Sequence, residues 1–415
     1  GTDKPRLNIS SSYAVGVPTQ SISFMDDYAR ALTIQNIATS TSTKRSDLTY
    51  KDGTIDQWLA LGMIDPVRYP NTDWWDVMVR NSIVQNHNVS ASSSNEKSNF
   101  FISVGVMDEK GLQINNNYSL YNARFNYDYK LRKNMNIGIR FNGNWSKVAF
   151  ANGEGFNDEN GFGFKFGDAV AGVLPYDPET GYYGGTMAYN EVISIYNPYS
   201  IYNNNLNHQN RQEANTSMYL DWSPVKGLTA RVDYTLNYYN QFRYYAPTPN
   251  TLYNFKTDSY TAYSPVSANA GIYNYTNTGY KTQLNGRLEY QTTFAKNHNI
   301  NALFVYSEEY WYDRYQMGSR LDRIHPTLSE LDAALPDTQT ATGNSSTEGL
   351  QSYIGRVNYS AFNKYLLEMN FRCDGSSKFL SGSRFGFFPS ASAGWRFTEE
   401  NFISPFTHSW LSSGK

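Results

Sequence analysis

The sequence contains no apolar run near the ~20 residues that a membrane-spanning helix requires, and its mean hydropathy is only -0.59. Helical spans are thereby excluded. Spanning strands are not, because their signal is much weaker per segment. Cysteine is almost missing: the 415 residues contain one, Cys373. A lone thiol rules out an internal disulfide framework and any cysteine-based zinc cluster. Charge is scarce as well, at 17% of residues with a net of -2. That leaves no electrostatic footprint for nucleic acid or for an anionic surface. Hydrophobic residues reach only 40%. No Ser/His/Asp order stands out. His87, His208, His298, His325 and His408 are scattered without ligand spacing, so neither a metal nor another cofactor is expected. The opening "GTDKPRLNIS" is not a signal peptide and reads as interior sequence.

Aromatic residues are abundant, with 35 Tyr and 23 Phe. They follow a rule. In "YNARFNYDYKL" (121–131), Tyr121, Ala123, Phe125, Tyr127, Tyr129 and Leu131 alternate with Asn122, Arg124, Asn126, Asp128 and Lys130. This is the period of a strand with one apolar and one wet face. The same alternation runs through "MNIGIRFNGNW", "TARVDYTLNY", "LNGRLEY", "YLLEMNFRCD" and "PSASAGWRF". About a dozen strands result, several longer than the ~10 residues a tilted spanning strand needs.

Tight connections fall near 93–97, 131–134, 223–227, 295–298 and 361–364. Long ones fall near 15–82, 146–212, 244–279 and 314–350, with a shorter one at 375–386. Alternating short and long connections place all the long loops on one end. Bacterial outer-membrane barrels have this asymmetry. A soluble sandwich or propeller also alternates, but its strands average only ~5–6 residues. The pattern predicts an antiparallel transmembrane β-barrel with long extracellular loops. Its aromatic face meets outer-membrane lipid, and its Asn/Arg/Asp face meets a wet lumen. Arg124, Arg140, Arg231, Arg287, Arg372 and Arg396 are expected to point inward, and Cys373 falls on the lipid-facing phase.

Two blocks go further, 69–131 and 352–402. They carry "PNTDW" at 70–74, "DEKG" at 108–111, "GRVNY" at 355–359, "DGSSKF" at 374–379 and "GFFPSASAGWRF" at 386–397. Together these resemble the SusC/RagA type of TonB-dependent outer-membrane transporter. Weaker similarity covers the segments between them. "SASSSNEK", where that family usually turns through glycines, and Cys373, where it more often has a polar or basic residue, are local departures. The resemblance implies a barrel of about 22 strands filled by a plug. It implies TonB-driven import of oligosaccharides or peptides across the outer membrane of a Gram-negative bacterium. It also implies a SusD-like surface lipoprotein as a lid. On this reading residues 1–415 are a partial barrel domain, TonB acts through a plug region outside the chain, and the C-terminal strands also lie outside it. No enzyme chemistry is implied. The alternatives from other classes are a surface glycan-binding adhesin and a passive porin.

Candidate ligand contacts are aromatic. Tyr176, Tyr182, Tyr183, Tyr189, Tyr196 and Tyr199 lie in the 146–212 loop among Asn and Gly. They suit stacking on a sugar or peptide, and they equally suit a loop packed on itself. Trp74 and Trp75 could stack on a sugar ring or anchor an extracellular loop to the rim. "GEGFNDENGFGFKFG" (153–167) lacks the Lys-Ser/Thr of a phosphate loop and reads as a mobile loop. Its Asp158, Glu159 and Asn160 match no calcium-loop spacing. The adjacent pairs Glu308–Glu309 and Glu399–Glu400 cannot act together as acid and base, since strand neighbours point to opposite faces.

Overall fold

The computed structural model describes residues 4–40, 52–150, 169–185, 197–204, 206–248, 251–262, 270–325, 327–403 and 414. Among the described residues fourteen strands are present: β1 (Arg6–Gly16), β2 (Ser82–Ser94), β3 (Ser98–Lys110), β4 (Asn117–Arg132), β5 (Met135–Ala149), β6 (Leu206–Trp222), β7 (Leu228–Ala246), β8 (Thr251–Asn254), β9 (Ser259–Ala262), β10 (Ile272–Phe294), β11 (His298–Arg320), β12 (Thr340–Ala361), β13 (Tyr365–Ser376) and β14 (Phe385–Trp395). Twelve of them form one antiparallel sheet in chain order, while β8 and β9 make a separate hairpin. Among the described residues no helix is long and apolar enough to cross a membrane.

The register carries the two faces across the sheet, with one local irregularity at Lys130/Arg132 beside a tight turn. Ile9, Val89, Val104, Ala123, Gly143, Ala214, Tyr238, Tyr280 and Tyr312 are direct partners from β1 to β11. A one-residue slip anywhere would move a strand's apolar set to the wet face. Phe125, Ile137, Val232, Leu236 and Trp395 lie on the apolar face and are open to the surroundings. Cys373 pairs with Tyr353 and Phe387 on that same face.

The opposite face holds the charges, and the sheet neutralises most of them itself. Arg140 meets Asp128 at 2.6 Å, and the Tyr219 hydroxyl donates to the same carboxylate at 2.6 Å. Arg231 lies 3.3 Å from both Asp221 and Asp233. Arg211 pairs with Glu213 at 2.7 Å, Lys281 with Glu309 at 2.8 Å and Arg372 with Asp374 at 2.6 Å. Arg287 pairs with Glu289. Arg396 differs from expectation. It falls one residue past β14 and donates to the Asn363 carbonyl and side chain, closing the 362–364 turn. Glu308 and Glu309 do part to opposite faces: Glu309 takes Lys281, whereas Glu308 accepts from the Tyr306 hydroxyl at 2.5 Å.

The tight turns fall where the alternation breaks, at 95–97, 133–134, 223–227, 295–297 and 362–364. Two of them need left-handed backbone at non-glycine residues, Ala295–Lys296 and Phe362–Asn363. The loop end departs from strict short–long alternation. The β3–β4 connection, 111–116, is short and sits among the long loops. β11 and β12 also continue to Arg320 and from Thr340, which cuts the expected 314–350 loop to 321–339.

We predict that Val104→Arg, on the apolar face, destabilises the barrel of the intact protein by about 2–4 kcal/mol. Val104→Phe should leave it unchanged. Urea titration of the heat-modifiable band in membranes would measure both.

Candidate functional site

A small buried cluster joins Ala246, Ile272 and Ala334 where β7 and β10 meet the 321–339 connection; among the described residues the two larger buried clusters sit in the loops at one end. Four helices build them: α1 (Tyr28–Ser40), α2 (Thr54–Leu61), α3 (Trp74–Met78) and α4 (Pro198–Asn204). Trp74, Met78, Val173, Ile201 and Tyr202 form one cluster, and Tyr28, Ala29, Leu32, Trp58 and Ala171 form a second.

The run at 70–76 ties these together. Asp73 caps α3, accepting from Trp75 N at 2.8 Å and Asp76 N at 3.4 Å. A carboxylate there satisfies amides that the helix leaves open. Thr72 donates its hydroxyl to the Val173 carbonyl at 2.8 Å. The Trp74 indole donates to the Val170 carbonyl at 2.9 Å, and its ring is fully buried. Trp74 therefore presents no face to a ligand; it fastens segment 169–174 to the rim. Trp75 is half-buried against the same cluster.

Four of the six loop tyrosines are described, and Tyr189 and Tyr196 lie outside the described residues. Tyr176, Tyr183 and Tyr199 form a triad with ring centroids 5.3–6.3 Å apart. Tyr182 turns the other way. It packs at 4.6 Å on Tyr253 and 5.5 Å on Tyr260, both from the β8–β9 hairpin. Adjacent residues thus serve two aromatic groups, and each group is held by its own neighbours. Burial raises the Tyr183 phenol above its ordinary pKa. A hydrogen bond with Asp258 pushes Tyr253 up to about 12. Both phenols stay neutral at physiological pH and serve as rings and hydrogen-bonding tips. The Thr180 hydroxyl, 2.5 Å away, holds the Asp177 carboxyl below its ordinary range and pins the 177–181 turn.

Sequence reasoning missed the fasteners between loops. Lys256, from the hairpin, sits 4.2 Å over the Trp58 ring and 4.6 Å over Tyr69. Backbone bonds join Gly185 to Tyr253 and Tyr253 to Tyr183. Buried Asn197 donates to the carbonyls of Leu174, Pro175 and Gly184, and it accepts from Ser200 N at 3.0 Å. Asn before Pro at a helix start is a signal that could have found Asn197. Nothing in the sequence pairs Lys256 with a ring two hundred residues away. Buried Arg323 binds the Leu328 and Pro247 carbonyls and the Thr248 hydroxyl, linking two further loops, and burial lowers its pKa. The glycine-rich segment 153–167 lies outside the described residues. Among the described residues no three acidic, His or Cys side chains converge as a metal site.

Long antiparallel strands, two opposed faces and a one-ended roof of interlocked loops define an outer-membrane barrel wall. Comparison with known proteins narrows the class. No protein-family profile matches the chain. A TonB-dependent receptor of Formosa agariphila is 27% identical over 359 residues, covering 82% of this chain and 32% of that protein. The TonB-dependent receptor SusC of Bacteroides thetaiotaomicron is 28% identical over 349 residues, covering 80% of this chain and 33% of that protein. The RagAB peptide transporter structure matches with a TM-score of 0.72 at 16% identity, over 97% of this chain and 45% of that one. The chain is thus similar in sequence to TonB-dependent receptors of the SusC type and shares the RagA-type barrel fold. It spans about a third of the length of the curated relatives it matches.

We predict that Trp74→Ala in the intact protein loosens the roof by about 3–5 kcal/mol. Asn197→Ala should cost ~1–3 kcal/mol, because it strands buried carbonyls. Limited proteolysis should then cut within 169–204 while the heat-modifiable barrel band persists. Unchanged protease resistance in both variants would refute the fastening role.

Proposed function

We propose that this chain is barrel wall and loop roof of an importer in the outer membrane of a Gram-negative bacterium. It takes up oligosaccharides or peptides by TonB-driven transport beneath a SusD-like lid lipoprotein. The reading is carried by one observation: the sheet and its one-ended loops superpose on a peptide transporter over 97% of the chain. Sequence likeness to SusC supports it independently. The work requires no covalent step. A solute has to be held at the roof, passed along a wet wall and released, so the site consists of weak, repeated contacts. Tyr176, Tyr182, Tyr183 and Tyr199 are proposed roof contacts, with Trp75 at their edge. Tyr189 and Tyr196 are proposed with them from sequence. Rings of this kind give broad contact area at low entropic cost.

The test is uptake of labelled oligosaccharides and peptides by cells carrying the intact protein, with and without TonB. Uptake should require TonB. Replacing 146–212 by a short turn should abolish it while barrel assembly persists. Tyr183→Ala should lower uptake about three- to tenfold, the equivalent of one stacking contact. TonB-independent uptake would make the protein a passive pore, and surface binding with no uptake would make it an adhesin.

A further inference from the structure

The outward face is not uniform, and it is the face that a body filling the lumen does not reach. On β3, β4 and β5 its apolar side chains stop together at Val106, Tyr121 and Trp145, direct partners in one row. The next outward row is Asp108, Ser119 and Lys147, and the one beyond it is Lys110, Asn117 and Ala149. Lys110 and Lys147 are exposed. Each stands twelve residues above the tight-turn end of its strand, counting from Ser98 and from Met135. At ~3.3 Å per residue and a tilt of ~40°, twelve residues climb ~30 Å, the thickness of a hydrocarbon core. Both ammoniums therefore stand at the head-group level of the outer leaflet.

Lys147 is seated on an aromatic ledge. The Tyr121 and Trp145 rings lie 5.3 Å apart, and the ammonium sits 4.2 Å from the Trp145 centroid and 5.8 Å from that of Tyr121. Aromatic belts settle at the membrane boundary, and a lysine stem lies along apolar surface with its charge on the wet side. Arg80, between α3 and β2, donates to the Asn117 side chain at 3.3 Å and to the Gly111 carbonyl at 3.0 Å. Its guanidinium thus reaches the direct partner of Lys110. Two lysines and an arginine gather here against one carboxylate on the same rows, Asp108. The concentration is local. Twelve residues up β6, β7, β10, β11 and β12 the outward positions are Asn210, Asn240, Thr282, Tyr310 and Gly349.

We propose that Lys110 and Lys147, with Arg80 beside them, bind a phosphate group of an outer-leaflet glycolipid against the outside of the wall. The proposal rests on the outer-membrane barrel reading. Two strands across and one pleat along put the two lysine Cβ atoms ~12 Å apart, a gap that two long side chains close around one anion. Lysine serves phosphate as a point charge, and arginine adds a planar fork. A lipid fits better than a dissolved anion because the surface directly beneath the charges is hydrocarbon-facing: Val104 and Phe125 are open there. Acyl chains lie along that surface while the phosphate stays on the ledge.

The test exchanges the intact protein, purified from outer membranes, into detergent containing lipid A or its dephosphorylated form. Bound lipid is counted by native mass spectrometry, and assembly is checked by the heat-modifiable band. The wild type should retain lipid A in preference to the dephosphorylated form. Lys110→Gln with Lys147→Gln should weaken lipid A binding about fivefold per lysine, the weight of one basic residue at an anionic surface, and leave the dephosphorylated form unaffected. Lys110→Arg with Lys147→Arg should keep the preference, and Asp108→Asn should strengthen it. No wild-type preference, or unchanged lipid A binding in the glutamine pair, would overturn the site. Equal loss of both forms would also overturn it, by making the lysines part of the wall's packing. Should the glutamine pair fail to assemble, Asp108→Asn decides alone, and no gain there overturns the site. A photo-cross-linker in place of Ser119 should capture glycolipid in living cells; capture of a second copy or another protein instead would overturn the lipid as occupant. Absence of the wild type from the outer-membrane fraction would overturn the barrel reading itself.

Discussion

In hydrocarbon a backbone amide has no water to turn to, and each one left unpaired costs several kcal/mol. That constraint organises this protein. It demands strands that pair along their whole membrane-spanning length, and the register runs from β1 to β14 with one local irregularity, at Lys130/Arg132. It also removes the usual reason for a core between layers. A single sheet with lipid on one side needs no second sheet against it, so the apolar face is left open and burial moves to the loops.

The two faces then solve different problems. The outer face needs apolar bulk and aromatic ends that settle at the membrane boundary. The inner face needs polarity without a strong net field, and in-sheet pairs such as Arg231 with Asp221 and Asp233 provide it. These pairs are partly exposed, and water screens them, so their worth lies in setting a neutral wall more than in stability. The loops behave as a small water-soluble domain, with buried Trp58, Trp74 and Tyr28 and a capped helix. Chain segments far apart in sequence build it, and so it depends on the barrel to bring them together.

The sheet was legible because its physics is local. Alternation needs only neighbours, and each tight turn falls where alternation stops. Legibility failed where that cause ended. β12 begins "TATGNSSTEG", which shows no alternation because both faces there meet water, and a loop was expected in its place. The loop helices were missed for a related reason. α1 buries Tyr28 and Leu32 against a distant tryptophan and shows almost no amphipathic signal of its own. Among the candidate residues, the aromatic letters were correct places to look, but letters do not reveal packing. Trp74 and Trp75 are neighbours; one is sealed in the roof and the other lies at its surface.

The strands are unequal. β10, β11 and β12 have 22–23 residues, whereas β1 and β14 have 11 each. At ~3.3 Å per residue the longest run roughly 75 Å along their axes, far more than a tilted crossing of a ~30 Å bilayer core uses. The wall therefore rises as a parapet on one side and stays low on the other. The roof with its helices hangs mainly from the lower strands, while the tall hairpin carries only the brief 321–339 connection. Such a rim is a slope. Its high end is backbone paired in a continuous ladder, whereas its low end is held by side chains packed between loops.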